Sequence, residues 1–309
     1  MIADATNTSE RTQTRESVKV IHSLPKYGDT RRVEGEGYTY EAFFSARNER
    51  IRVITYEVTN YEALVQSLKV HALYHQTGKM FVKTHRRDVA MLKRLGLCEE
   101  ARITGYFNSE DAVVMSLFTN AQRMIPTPDV EIREDIIKHA MAGDSASGHQ
   151  RPLPGGLSCR IATPDDAADL SRVFAANFAT YPFPVFDPEY VLESMQNDVV
   201  YMMIVEGPNI AAVASAETIP SLCNAEMTDF ATMPRYRGNG LGSILLSELE
   251  KEMRLRDIVH LYTLSRASVV SINRIFGKAG YTYTGTLVQN CHISGDFEDM
   301  NCWCKPLSQ

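Results

Sequence analysis

The chain has 309 residues, enough for about two domains on a prior of roughly 100–200 residues each. Hydrophobic residues make up 44% and charged residues 23%, values of a globular protein with an apolar core rather than a disordered one. Lys and Arg number 32 against 38 Asp and Glu, a formal net charge of -6, which argues against a general binder of nucleic acid or anionic membranes.

The opening stretch, MIADATNTSERTQTRES, has no apolar run and is expected to be a polar, mobile tail over residues 1–17 rather than a secretory signal. No segment approaches the roughly 20 apolar residues of a membrane span, and the cytoplasm is the expected compartment. Residues 18–123 are expected to form a first α/β unit. IRVITYEV and KMFVKTH read as strands, residues 61–75 and 88–95 as helices, with Gly96 ending the second and two strands following to Phe118. His71 and His75 stand four apart on the first helix. No third ligand accompanies them, so a helix face is the better reading and no metal is expected.

Residues 124–156 read as a linker. They carry Pro126, Pro128, Pro152 and Pro154, the stretch GDSASGHQ and a closing Gly155-Gly156, all turn-forming composition. A short helix is expected over residues 131–141.

The pattern from residue 157 onward is regular. LSCRIAT reads as a strand, and Thr163-Pro164-Asp165-Asp166 as a cap, a first-turn proline and first-turn acids. Leu170, Val173 and Phe174 then have helical spacing, and Asp187-Pro188-Glu189 opens a second helix in the same way. VVYMMIVEG and IAAVASAETI flank the turn residues Pro208-Asn209 and read as a hairpin. AEMTDFATM is a further strand. After it comes a glycine-rich turn, then a helix with Leu241, Ile244, Leu245, Leu249 and Met253 on one face. VHLYTLS is a strand, Ile272, Ile275, Phe276 and Ala279 mark one helix face, Gly280 stops that helix, and two strands finish the chain. The predicted order is β-α-α-β-β-β-α-β-α-β-β.

The strongest chemical signal is Met233-Pro-Arg-Tyr-Arg-Gly-Asn-Gly-Leu-Gly-Ser, with Gly238, Gly240 and Gly242 where strand passes into helix. Glycines let backbone approach a phosphate closely, and the free N–H groups and dipole of a helix start attract its charge. By itself this is a weak signal, since a tight structural turn can carry the same glycines. It is no P-loop, lacking Gly-Lys-Ser/Thr, and no good dinucleotide fingerprint.

Its place after the fourth strand is what makes it specific. Arg235-x-x-Gly238-x-Gly240 there resembles the pyrophosphate signature of the GNAT acetyltransferases. That resemblance implies an α/β (α+β) fold with a mixed, mostly antiparallel sheet flanked by helices over residues 157–309, and acetyl-CoA as cosubstrate. It assigns the backbone of Ala231, Thr232 and Met233 to the pantetheine arm, and Arg237, Gly238, Asn239, Gly240, Leu241 and Gly242 to the pyrophosphate. Asn273 falls near where the superfamily contacts the CoA chain, with an exposed polar helix residue as the alternative.

A narrower resemblance rests on Tyr181-Pro-Phe-Pro-Val-Phe-Asp-Pro-Glu-Tyr190, Asn224-Ala-Glu-Met-Thr-Asp-Phe-Ala-Thr232 and Gly295-Asp-Phe-Glu-Asp-Met-Asn301. The three blocks are similar to the beta-lysine N-acetyltransferases, and GYTYEAFFSARNERIRVITYEV resembles the opening of that family more loosely. The resemblance implies a cytoplasmic enzyme paired with lysine 2,3-aminomutase. Such an enzyme acetylates the terminal amine of beta-lysine in a ternary complex and yields a compatible solute. Acceptors left open are another small amine, a polyamine or a protein lysine, and a non-catalytic acyl-CoA sensor is the rival of another class. The first α/β unit echoes the second, Leu92-Lys93-Arg94-Leu95-Gly96 falling on Phe276-Gly277-Lys278-Ala279-Gly280. It is expected to be a degenerate GNAT-like half-domain without a CoA loop, an unrelated α/β unit being the alternative.

Attack on a thioester needs a neutral amine, and a lysine-type ammonium titrates near 10.4, so deprotonation near pH 7 costs about 4–5 kcal/mol. A carboxylate near the attack site can take that proton. Glu226, at the position of the glutamate base in histone-acetylating relatives, and Asp229 are the candidates. Three residues apart, they face opposite sides of a regular strand unless a bulge intervenes. Tyr181, Phe183 and Asp187, on the loop between the first two helices, are candidate acceptor-site residues. Glu298 and Asp299 are candidates for the opposite wall, with capping and solvated-acid roles as alternatives. Many GNAT enzymes carry a tyrosine that protonates the leaving thiolate where this chain has Phe276, so the protonating group is left open. Cys302 and Cys304 share one strand face and read as buried structural thiols.

Overall fold

The computed structural model describes residues 27–142 and 152–307. The predicted tail over residues 1–17 and the GDSASGHQ stretch lie outside the described residues. The first half supplies β1 (Asp29–Gly35), β2 (Tyr38–Ser45), β3 (Arg50–Val58), α1 (Tyr61–Tyr74), β4 (Lys79–His85), α2 (Val89–Arg94), β5 (Cys98–Phe107) and β6 (Glu110–Phe118). After α3 (Val130–Met141) come β7 (Ser158–Ile161), α4 (Ala167–Asn177), α5 (Pro188–Gln196), β8 (Val199–Glu206), β9 (Asn209–Ile219) and β10 (Asn224–Thr232). The chain then continues through α6 (Leu241–Leu255), β11 (His260–Arg266), α7 (Val270–Lys278), β12 (Thr282–Ile293) and β13 (Asp296–Pro306).

Local signals start the helices where the sequence places them. The Thr163 and Asp166 side chains form a reciprocal capping box before α4. Asn60 caps α1 through Ala63 N, and Asp187 caps α5 through Glu189 N at 3.0 Å. In β3 and β4 alternate residues part: Ile51, Val53, Met80 and Val82 join a core under α1 and α2, while Arg50, Arg52, Phe81 and Lys83 face the other way.

All thirteen strands belong to one sheet, in the order β1-β2-β3-β4-β6-β5-β12-β13-β11-β10-β9-β8-β7. The sub-order β1-β2-β3-β4-β6-β5 repeats β8-β9-β10-β11-β13-β12. In each copy the one parallel pair is the same step, β3 with β4 and β10 with β11. The halves meet where Gly285 of β12 pairs with Ala101 of β5. A Cβ on Gly285 would lie 2.2 Å from the Glu100 carbonyl oxygen, so only glycine permits this approach of two backbones.

A second junction seals the halves face to face. Phe81, Ile103, Tyr106 and Val114 of the first half share a buried cluster with Tyr262, Leu287, Met300, Cys302 and Cys304 of the second. Each large side chain buried there stabilises by about 1.5–3 kcal/mol. Polar groups complete it: Lys79 Nζ donates to the Val288 carbonyl at 2.7 Å and pairs with Glu100 at 2.7 Å. Asn224 Nδ2 donates to the Tyr106 carbonyl at 2.6 Å, and Arg123 Nη2 to that of Gln289 at 2.7 Å. The segment expected to be a linker is itself packed. Its helix α3 lies against α7, with the Ala140 carbonyl where a Cβ of Gly277 would stand.

Candidate active site

Strands β10 and β11 pair over only three residues, Asn224 to Glu226 with His260 to Tyr262. Beyond them the strands diverge, and a cleft of about 1700 Å³ opens between them, larger than the usual ~300–1,000 Å³ of a small-molecule site. Its wall includes Asp229, Ala231, Thr232, Arg237, Gly238, Gly240, Leu241 and Gly242, together with Tyr181, Arg266 and Phe276.

Helix α6 starts at this wall. Gly240 is its cap with φ 73°, a left-handed conformation that glycine adopts without strain, and Gly238 has φ 86° with open space beside it. The first N–H groups of the helix have no partner inside it, and with the dipole they form an anion site. Arg237 is fixed at the rim by bonds to the Thr232 carbonyl at 3.2 Å and Asn177 Oδ1 at 3.0 Å.

A bulge distorts β10 just before the cleft. Thr228 opposes Ser215 and Ala231 opposes Val213, so β10 carries one extra residue, and Asp229 takes φ 54°. Upstream of the bulge Ala225 and Met227 face the core under α6, and Glu226 faces the other side. The bulge turns Asp229 to that same side. There its two oxygens accept from Tyr181 Oη at 2.7 Å and Ser215 Oγ at 2.6 Å. The two candidate carboxylates of β10 therefore share a face, which the strand period alone would forbid.

Register adds a third acid that the sequence reading missed. Glu226 stands directly opposite Glu217 on β9 and Tyr262 on β11, making one row across the sheet. The Tyr262 hydroxyl has its pKa raised by burial and by the nearby Glu226 and accepts from Lys83 Nζ of the first half at 2.8 Å. Burial, with Glu226 and Asp229 nearby, pushes the Glu217 carboxyl up to about 8. Burial raises Asp229 too, opposed by its bonds from Ser215 and Tyr181, and it holds the Tyr181 hydroxyl well above the ordinary phenol value. The sequence signal for Glu217 was the hairpin itself: Ile219 pairs with Asn224, and counting back two places sets Glu217 on Glu226.

Other expected residues serve different ends. Asn273 is fully buried. Its Oδ1 accepts from Ser265, Asn301 and Trp303, and its Nδ2 donates to the carbonyls of Arg266 and Val269. That amide is saturated, so the expected CoA contact is corrected to a tie between α7, β11 and β13. Asp187 is the α5 cap rather than an acceptor contact, and Phe183 packs on the core beneath α4 and α5. Glu298 is held by Arg266 Nη2 at 2.5 Å and Ser268 Oγ at 2.7 Å. Asp299 is fully buried against Arg133 of α3 at 3.0 Å, fastening the linker instead of lining a pocket. The backbone of Met233 is also spent, its N–H on the Ala211 carbonyl and its carbonyl on Tyr236 N, both at 2.9 Å. Asn239 Nδ2 closes its own turn on the Tyr236 carbonyl. Phe276 lies at the cleft in edge contact with Phe230 and Tyr281.

Among the described residues no group of three His, Cys, Asp or Glu side chains could hold a metal, and no helix is long and apolar enough to cross a membrane.

The profile of the Acetyltransferase (GNAT) family matches residues 169–275, which span α4 to α7 and all of the glycine-rich turn. The N-acetyltransferase YodP of Bacillus subtilis is 34% identical over 280 residues, covering 89% of this chain and 98% of that protein. The beta-lysine N(6)-acetyltransferase of Methanosarcina mazei is 33% identical over 269 residues, covering 81% and 99%. Among solved structures, the ribosomal-protein-S18-alanine N-acetyltransferase of Escherichia coli covers 50% of this chain and 95% of its own, at 18% identity and a TM-score of 0.44. With relatives matched over nearly their whole length and a parallel pair splayed beside a glycine-capped helix, the chain belongs to the GNAT family and is an acetyl-CoA-dependent N-acetyltransferase.

Proposed function

We propose that the acceptor is beta-lysine, acetylated on its terminal amine by direct attack in a ternary complex to give N(ε)-acetyl-beta-lysine. The observation that carries this reading is the shared face of Glu217, Glu226 and Asp229 beside the cleft, since a dicationic acceptor needs several carboxyls to offset its lost hydration. The Methanosarcina mazei relative, named for this acceptor, supports it. A cytoplasmic lysine 2,3-aminomutase as the source of beta-lysine belongs to the same proposal.

The residues present fit acetyl-CoA. Gly238, Gly240 and the first turn of α6 suit the pyrophosphate, and Ala231 and Thr232 line the path of the pantetheine arm. The coenzyme supplies the activated thioester. The acceptor nitrogen forms the amide C–N bond as the C–S bond breaks, and the amine proton must leave. Glu226 takes it, because Asp229 spends both oxygens on Tyr181 and Ser215 while Glu226 stands beside Tyr262 with capacity to accept. Asp229 braces the bulge. Phe276 has no proton to give, and water serves the thiolate, whose conjugate thiol titrates near 8.5. In the first half, Tyr56 of β3 and Tyr61 of α1 donate to the Asp88 carboxylate just after β4, each at 2.6 Å. That half is a degenerate GNAT-like copy which does not bind the coenzyme.

CoA release with beta-lysine and with lysine as acceptors tests the reading. We expect kcat/KM to favour beta-lysine by about tenfold or more, the value of one well-placed charged contact. Equal efficiency, or turnover of neither, contradicts it.

A further inference from the structure

The row Glu217–Glu226–Tyr262 faces the first half, and the surface it meets is basic. Arg50, Arg52 and Lys83 lie on the inward side of β3 and β4 with Phe81, which Arg52 directly opposes. Phe81 belongs to the cluster that also holds Tyr262. The flanking cations are both anchored on the second half. Arg50 donates to the Asn290 carbonyl, and Lys83 Nζ donates to the Tyr262 hydroxyl at 2.8 Å and to Tyr106 Oη at 3.3 Å. Arg52 lies between these anchors and has no such bond. Its Nε is buried without an acceptor among the described residues, and its guanidinium lies 6.0 Å from the Phe43 ring.

A half-buried guanidinium whose Nε is buried without a partner calls for an anion, because a buried donor left unbonded loses its hydration for nothing. Glu217 is the natural candidate, and Arg52 is close enough to hold its pKa down. The two groups nevertheless form no ion pair within 4.0 Å. A cation and a row of acids that face each other without an ion pair suit a zwitterion, whose carboxylate meets the arginine and whose ammonium meets the acids.

We propose that the first half of the chain completes the acceptor site, and that Arg52 is the specificity residue binding the carboxylate of an amino-acid acceptor. This rests on the small-amine reading above and narrows it: the acceptor is a diamino acid held across the junction between halves, with a cation from one and acids from the other. The first half then has a catalytic-site purpose without any coenzyme of its own. A protein lysine, which carries no free carboxylate near its amine, is disfavoured.

The test pairs each amino acid with its decarboxylated diamine: beta-lysine, lysine and ornithine, each against the diamine left on loss of carbon dioxide. Wild-type enzyme should prefer the acid in the pair it uses. Arg52→Gln should lower kcat/KM for that acid roughly 10- to 100-fold, the loss of a charged hydrogen bond, mostly in KM. Turnover of the matching diamine should stay within about twofold, collapsing the preference. Arg52→Lys, keeping charge without the planar fork, should recover part of the loss. An acid other than beta-lysine with the same Arg52 dependence overturns the beta-lysine reading and leaves this one standing. An equal fall for acid and diamine marks Arg52 as structural and overturns the proposal. So does wild-type preference for the diamines, or no turnover of any acid. Acetyl-CoA affinity and melting temperature of both variants, expected near wild type, separate either result from misfolding.

Discussion

Two carboxyls of β10 carry different loads, and each has a measurable signature. Glu226 keeps lone pairs to spare, so Glu226→Gln should cut kcat by about 10²–10⁴ with acetyl-CoA affinity unchanged. Alkaline pH should restore part of the rate, because free amine then forms unaided. Asp229→Asn should instead lower stability more than it alters the pH–rate curve, since Asp229 is tied to Tyr181 and Ser215 at a left-handed backbone position. An unperturbed profile for Glu226→Gln beside an alkali-rescued Asp229→Asn transfers the proton to Asp229. Glu217, raised to about 8 mainly by burial, binds its proton more tightly folded than unfolded, where a glutamate titrates near 4.3. The proton-linked stability it contributes is therefore complete below roughly pH 4 and is lost as pH rises through about 8. Thermal melts of Glu217→Gln should match wild type near pH 4 and lie a few degrees higher near pH 8. A melting difference independent of pH counts against the raised carboxyl. Neither Glu217 nor Arg52 was legible beforehand, because each owes its place to cross-strand register and not to a local pattern.

At the scale of elements, the local signals were readable and the long-range ones were not. The capping box before α4, the proline at the start of α5 and the glycine closing α7 all act within four or five residues, and each falls where the sequence predicts. Strands β1 and β2 escaped the reading: DTRRVEG is mostly polar, with no clean alternation, and it becomes a strand by pairing along β2. The bulge in β10 had been recognised only as an exception to strand geometry, yet it is what brings Asp229 beside Glu226. The turn before α6 was the clearest motif, and it supports a sharp prediction. Gly240 has φ 73° at the helix cap, where a β-branched residue costs roughly 1–2 kcal/mol and its side chain shields the helix N–H groups. Gly240→Val should remain folded, yet weaken acetyl-CoA binding at least tenfold by calorimetry. Wild-type affinity in that variant contradicts the assignment of the pyrophosphate to this turn.

At the scale of the molecule, two units with the same strand order are fused into one sheet and sealed by a shared apolar cluster. The echo between Gly96 and Gly280 was visible in the sequence, and both glycines end helices with positive φ. The fusion was not visible, since it depends on one close approach at Gly285 and on Lys79 reaching Val288 across the junction. In the proposed acceptor site, fusion sets a basic face of the first half against the acid row of the second, which a single GNAT domain with this acid face would lack. On the proposed reading, Arg52 would hold one end of the acceptor and Glu226 would receive the proton from the other, so acetyl transfer to the amine farthest from the carboxylate is the expected outcome. The most direct test is to identify the product formed from beta-lysine and acetyl-CoA by NMR, locating the acetyl group along the chain. Acetylation of the terminal amine alone is the predicted result. Acetylation of the amine beside the carboxylate, or a mixture of both products, contradicts the arrangement of acids and cation described above.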